Sequence, residues 1–195
     1  MKRIIGLTGG IATGKTTVSN YLAKTYNLLI LDADIYAREA VKVGSPILID
    51  IVYKYGQAIL LSDGNLNRQK LSEIIFNNKS EKQWLEDLIH PYVRKSFIDN
   101  IGKYKVSILV LVIPLLFEVD LTDLVTETWV VYCSEQQQLK RLMQRNNLTL
   151  LQAQSRINSQ MPLSEKVSRA DVVLDNSLTQ DVLFQEVDVA LKNII

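Results

Sequence analysis

Short apolar runs alternate along this chain with segments whose apolar residues recur every three or four positions. Ile4, Ile5 and Leu7 form the first run, which ends in glycines, the pattern of a buried strand. From Lys15 to Tyr26, the residues Val18, Tyr21, Leu22 and Thr25 fall on one helical face. Leu28–Leu31 is a second run, ending at Asp32. Ile108–Ile113 is continuously apolar, and a strand apolar on both faces belongs inside a parallel sheet covered by helices. Thr128–Cys133 and Val172–Leu174 add two more strands. A last helix is expected behind Ser177 and Gln180, which stand at capping-box spacing, with Leu183, Val187, Ala190, Leu191 and Ile194 on one face. The alternation predicts an α/β fold with a mostly parallel sheet.

Residues 35–103 interrupt this pattern. They hold no core strand and read as helices, Leu66–Phe76 and then Glu81 onward behind a Ser80/Gln83 capping box, so a helical insertion beside the sheet is expected. A second irregular stretch, 138–169, carries Lys140, Arg141, Arg145, Arg156, Lys166 and Arg169 against Glu165 alone, a net +5. The basic residues gather where an anion can be held.

The 195 residues fit one domain, and 47% hydrophobic with 22% charged residues is a globular composition. A net charge of +1 argues against a general nucleic-acid binder. Cys133 is the lone cysteine, which excludes an intrachain disulfide and a Cys-based zinc cage; His90 is the lone histidine, which excludes two-His metal sites. Any metal is then expected to be a hard cation held by oxygen. The N-terminus lacks the apolar stretch of a signal peptide, and the most apolar run, Ile108–Phe117, is roughly half the ~20 residues a membrane span needs. A cytoplasmic protein without membrane or nucleic-acid partners is expected, as a monomer or small homo-oligomer.

Residues Gly9–Thr16 read G-G-I-A-T-G-K-T, the phosphate-loop pattern G-x-x-x-x-G-K-[ST]. Glycines let the backbone turn tightly and aim successive N–H groups at phosphate oxygens, and the helix opening at Lys15 adds its positive end. The nucleotide-binding set is Gly9, Gly10, Ile11, Ala12, Thr13, Gly14, Lys15, Thr16 and Thr17. Lys15 is placed to reach the β- and γ-phosphates of ATP, and Thr16 to offer its hydroxyl to Mg²⁺. A chance match of four fixed positions occurs on the order of 1% of the time in a chain this size. The strand before and helix after this loop make chance less probable still.

A GTPase switch is the alternative from another class. Asn78-Lys79-Ser80-Glu81 and Asp99-Asn100-Ile101-Gly102 come near its motifs, but in reversed order and between helices. A small-molecule kinase explains more, because phosphoryl transfer asks the protein for positioning, charge neutralisation and exclusion of water. Arg141 and Arg145 are four apart, so on a helix they point the same way and can clamp a transferring phosphoryl group. Asp32-Ala33-Asp34 closes the second strand at the edge where α/β sheets place ligands. Both carboxylates share a face if the strand runs through Asp34. Asp34 is favoured to orient or deprotonate the acceptor, and Asp32 to help hold Mg²⁺ through water.

These residues resemble the dephospho-CoA kinase family. The resemblance runs from Ile4 to about Asn176 through GLTGGIATGKT, DADIYAREAV, DGNLNRQKLSEIIF with LEDLIHPYVR, IPLLFE, QLKRLMQR, and RINSQM with ADVVLDN, in order. It implies ATP-dependent phosphorylation of the ribose 3′-hydroxyl of dephospho-CoA, the last step to coenzyme A. It also implies a five-stranded parallel sheet of order 2-3-1-4-5 flanked by helices. The corresponding regions are a nucleotide-binding core (1–34, 104–137 and 165–195), a helical acceptor subdomain (35–103) and a lid (138–164). Carried over, Lys15 and Thr16 serve ATP and Mg²⁺, Asp34 addresses the 3′-hydroxyl, and Arg141 or Arg145 serves the phosphates. Arg38, Asn67, Arg68, His90, Leu115 and Leu116 fall on the acceptor side. Thr13, Asn146 and Val112 depart from the family pattern; where some members are acidic at 112, Asp32 or Glu118 is left here to complete the ion's water shell.

Overall fold

The computed structural model describes residues 2–76 and 78–192. Five strands, β1 (Arg3–Gly9), β2 (Leu29–Asp32), β3 (Ile108–Val112), β4 (Glu127–Tyr132) and β5 (Val172–Asp175), form one sheet in the order β2-β3-β1-β4-β5. Every pairing is parallel. The order puts β1 at the centre, so the loop that follows it leaves from the middle of the sheet. The helices are α1 (Lys15–Tyr26), α2 (Ala33–Ala40), α3 (Pro46–Tyr55), α4 (Arg68–Phe76), α5 (Lys79–Lys103), α6 (Glu135–Asn146), α7 (Leu150–Asn158), α8 (Leu163–Ser168) and α9 (Gln180–Lys192). The chain divides into two compact units, Met1–Asp32 with Tyr104–Ile195, and Ala33–Lys103. Among the described residues no helix is long and apolar enough to cross a membrane.

In the first unit the core forms where one face of the sheet meets two helices. Ile5, Leu7, Val110, Val112, Trp129, Val131 and Leu174 pack with Val18 and Leu22 of α1 and with Leu183 and Val187 of α9. Each such side chain contributes about 1.5–3 kcal/mol of burial free energy. Arg3 ties the sheet to the end of α9: it pairs with Glu127, which also accepts from Trp129 Nε1 at 3.0 Å, and it donates to the carbonyls of Leu191 (2.6 Å) and Ala190 (3.0 Å). A guanidinium on the last carbonyls of a helix satisfies groups that have no partner within the helix and complements its negative end.

The second unit has its own core of Ala40, Val41, Leu48, Ile51, Ile59, Leu66, Leu71 and Leu85. Among its described residues, β structure is limited to a single antiparallel bridge between Leu60 and Leu66, around a turn in which Gly64 has φ +80°. Lys54 stands 4.0 Å from the Trp84 ring centroid and pairs with Glu81 at 2.7 Å. Pro91 lies inside α5.

Element boundaries differ from the sequence expectations at helix starts. The helix expected behind Ser80/Gln83 begins at Lys79, because Asn78 Oδ1 accepts from the Ser80 and Glu81 amides at 3.1 and 3.3 Å; Gln83 instead donates to Asp87. The last helix is capped by Thr179, whose Oγ1 accepts from Val182 N, rather than by Ser177, whose own N–H goes to Asp175 Oδ1. Helix α4 opens at Arg68 rather than Leu66, since Leu66 is held in the bridge. Ile194 lies outside the described residues.

Candidate active site

The phosphate loop leaves β1 at Gly9, which registers with Val131 of β4. A Cβ at Gly9 would stand 2.5 Å from the Val131 carbonyl oxygen, and the residue has φ +146°, so only glycine fits. Ala12 has φ +62° and Gly14 φ +113°, the left-handed turns that curl the backbone into a cradle. Helix α1 opens at Lys15, and the Lys15 amine lies back across the loop, donating to the carbonyls of Gly9 (2.9 Å) and Gly10 (2.8 Å). Thr16 is exposed in the first turn of α1.

Three side-chain amides hold the loop from outside. Gln138 of α6 donates to the Ile11 carbonyl at 2.9 Å. Gln160 accepts from the Ile11 N–H at 2.8 Å. Asn176, just past β5, donates to the Thr13 carbonyl at 2.7 Å. None of the three was singled out from the sequence, because an amide carries no charge or spacing signal and its loop partner lies far along the chain.

Arg141 and Arg145 sit four apart on α6 but do not form the expected pair. Arg141 is half-buried and donates from Nη2 to the Asn176 carbonyl at 2.9 Å, while its Nη1 is buried with no hydrogen-bond partner. Arg145 is exposed, and its Nε binds Asn146 Oδ1 at 2.9 Å. A buried N–H without a partner is costly, and this one belongs to a side chain linked to the phosphate loop through Asn176. Cys133, at the end of β4, is wholly buried; burial pushes its thiol up, opposed by the charge of Arg141.

The local excess of positive charge is smaller than its composition suggests. Lys166 is fully buried, donating to the Pro114 carbonyl (2.8 Å) and pairing with Glu118 (2.7 Å), and Arg169 pairs with Glu165. Glu118 Oε1 also accepts from Met161 N at 3.1 Å. Glu118 Oε1 is thus an anchor for the 161–166 backbone, while its Oε2 is buried without a hydrogen-bond partner. Asp32 ends β2, half-buried, in register with Val112.

Asp34 is not on the strand. The strand stops at Asp32 and α2 begins at Ala33, so Asp34 is an exposed residue of a helical first turn, where a carboxylate is favoured by the helix's positive end. The alternation that put both carboxylates on one strand face does not apply. Arg38 follows one turn later on α2, also exposed. Arg68 Nη2 lies 3.5 Å from the Arg38 carbonyl, which brings these two arginines together. Asn67 Oδ1 accepts from Lys70 N at 3.0 Å and caps α4. His90 is half-buried in α5. Leu115 is half-buried, but Leu116 is wholly buried against Gly6, so it fills the core instead of lining a binding surface. Among the described residues no group of three or more His, Cys, Asp or Glu side chains forms a metal cage.

A phosphate loop at the end of a central β1, in a parallel 2-3-1-4-5 sheet, defines a P-loop kinase fold. The family model for dephospho-CoA kinase matches residues 3–181. A dephospho-CoA kinase from Nostoc is 65% identical over 190 residues, covering 97% of each chain. A crystal structure from Thermus thermophilus superposes with a TM-score of 0.83 at 28% identity, covering 100% of this chain and 98% of that one. The dephospho-CoA kinase from Campylobacter jejuni gives 0.73 at 28%, covering 98% and 96%. The chain belongs to the dephospho-CoA kinase family.

Proposed function

We propose that the protein transfers the γ-phosphoryl group of ATP to the ribose 3′-hydroxyl of dephospho-CoA, giving coenzyme A and ADP. The observation that carries this reading is the phosphate cradle of residues 9–17 in a chain of this family. The cradle's N–H groups and the Lys15 amine hold the triphosphate and neutralise its charge. Thr16, with Asp32 at the end of β2, would hold Mg²⁺, which supplies further neutralisation of the phosphate oxygens. Arg141, with its buried unpartnered Nη1, is favoured over Arg145 as the phosphate-binding arginine. Asp34 orients the attacking hydroxyl and takes its proton as the new O–P bond forms. Arg38, Arg68, His90 and Leu115 are assigned to acceptor binding; Asn67 contributes through the backbone it caps. We place the protein in the cytoplasm, where its substrates are soluble.

The test is ADP release by the purified protein with Mg²⁺-ATP, comparing dephospho-CoA with adenosine, cytidine, uridine and no acceptor. Turnover with dephospho-CoA alone, giving a product that co-migrates with coenzyme A, is expected. Turnover with a nucleoside would mean another small-molecule kinase. ATP binding with slow hydrolysis that no acceptor accelerates would mean a nucleotide-dependent switch.

A further inference from the structure

The peptide at Ile11 is gripped on both sides. Its carbonyl accepts from Gln138 Nε2 at 2.9 Å, and its N–H donates to Gln160 Oε1 at 2.8 Å. The next residue, Ala12, sits at φ +62°, a conformation costing about 1–2 kcal/mol for a residue with a Cβ. Gln138 is buried on α6, and its helix starts with a reciprocal capping box between Ser134 and Gln137. Gln160 is half-buried in the turn between α7 and α8. Its position is built, because the adjacent Met161 N–H is bonded to Glu118 and Glu118 is held by the buried Lys166.

We propose that Gln160 is a positioning residue for the phosphate loop, holding the Ile11 N–H so that the strained turn at Ala12 persists and the amides after it stay aimed at the nucleotide. A neutral amide suits the task. It accepts a hydrogen bond without adding negative charge beside phosphates, which a carboxylate would do, and an ammonium has no acceptor to offer. Through this bond and that of Gln138, the 138–164 segment and the loop share a single equilibrium. A loop held in its binding-competent form lowers the ATP concentration needed without changing the chemistry that follows.

The proposal rests on nucleotide phosphates occupying residues 9–17, which ATP titration of the unaltered protein checks separately. The experiment compares Gln160→Met, which keeps volume but loses the acceptor, with Gln160→Glu, which keeps an acceptor oxygen. Gln154→Met, on the same segment but bonded only to Asn158, serves as control. Amide hydrogen exchange at Ile11 and steady-state kinetics are read together. Gln160→Met should lose exchange protection at Ile11 and raise KM for ATP about three- to tenfold, with kcat and KM for the acceptor within about twofold. Gln160→Glu should restore the Ile11 protection while ATP affinity stays weak and recovers with added salt. Unchanged Ile11 exchange in Gln160→Met overturns the proposal, as does a loss confined to kcat. If the unaltered protein binds no ATP, both this proposal and the functional reading fail. If it binds ATP and Gln160→Met binds equally well, only this proposal fails.

Discussion

The side-chain nitrogen of Asn176 stands 2.1 Å from the point a Cβ on Gly14 would occupy. The same nitrogen donates to the Thr13 carbonyl, so the absence of a side chain at 14 is what lets the amide reach the loop. Gly14→Ala should abolish measurable ATP binding, since it meets both a φ of +113° and this clash. Gly10→Ala should be milder. Its Cβ meets the end of the flexible Gln138 side chain at 2.5 Å and the Thr13 methyl at 3.3 Å, at the cost of roughly the 0.5–1.5 kcal/mol of one hydrogen bond. Isothermal titration with ATP ranks the two, and equal losses would refute the steric account.

Lys15 and Asp34 are assigned separate tasks, and the variants should separate them. Lys15→Ala should remove most turnover and weaken ATP binding. Asp34→Ala should cut kcat about 10²–10⁴-fold while ATP binding survives. Equal loss of ATP binding in both, measured by titration, would contradict this division.

The Lys166–Glu118 pair predicts a stability effect. Lys166→Met leaves Glu118 without its cation, and should cost about 3 kcal/mol, read as a lower urea midpoint. The double replacement Lys166→Met with Glu118→Leu should cost less than the single one, because no charge is then stranded. A double variant as unstable as the sum of the singles would show that the pair itself is not what matters.

Helix α1 is tied to α9 through Asp188, whose Oδ1 accepts from Tyr21 (2.8 Å) and Tyr26 (2.7 Å). The hydrogen bonds from Tyr26 and then Tyr21 hold the Asp188 carboxyl below its ordinary range. Its contribution to stability is complete above about pH 4 and is lost as pH falls through the depressed value. The bond to Asp188, and then burial, push Tyr26 up to about 12. Its contribution is complete below about pH 10 and is lost as pH rises through 12. Thermal unfolding of Asp188→Asn against the parent from pH 2.5 to 7 should show a shallower acid decline in the variant. Parallel declines would assign the acid sensitivity elsewhere.

Much of this fold was legible because its signals are local. The continuously apolar run of β3 reads as a strand buried on both faces, and the phosphate loop announces itself through the short spacing of its glycines, lysine and threonine. Asp34 would share a face with Asp32 only on a strand two residues longer, and the chain instead passes from strand to helix at Ala33 without a linker. The three amides that brace the loop were not legible. Gln138, Gln160 and Asn176 meet partners 127, 149 and 163 positions away, and nothing in their immediate sequence foretells it. Lys166 was counted with the positive charge offered to an anion, yet its ammonium is turned wholly inward.

That inward turn makes Lys166 a clock. Among the described residues it is the one buried lysine, so an acylating reagent in water modifies the exposed lysines first and this amine only when α8 lifts away from the 114–118 turn. The rate at which a mass spectrometer sees position 166 acquire its label therefore counts openings of the native chain.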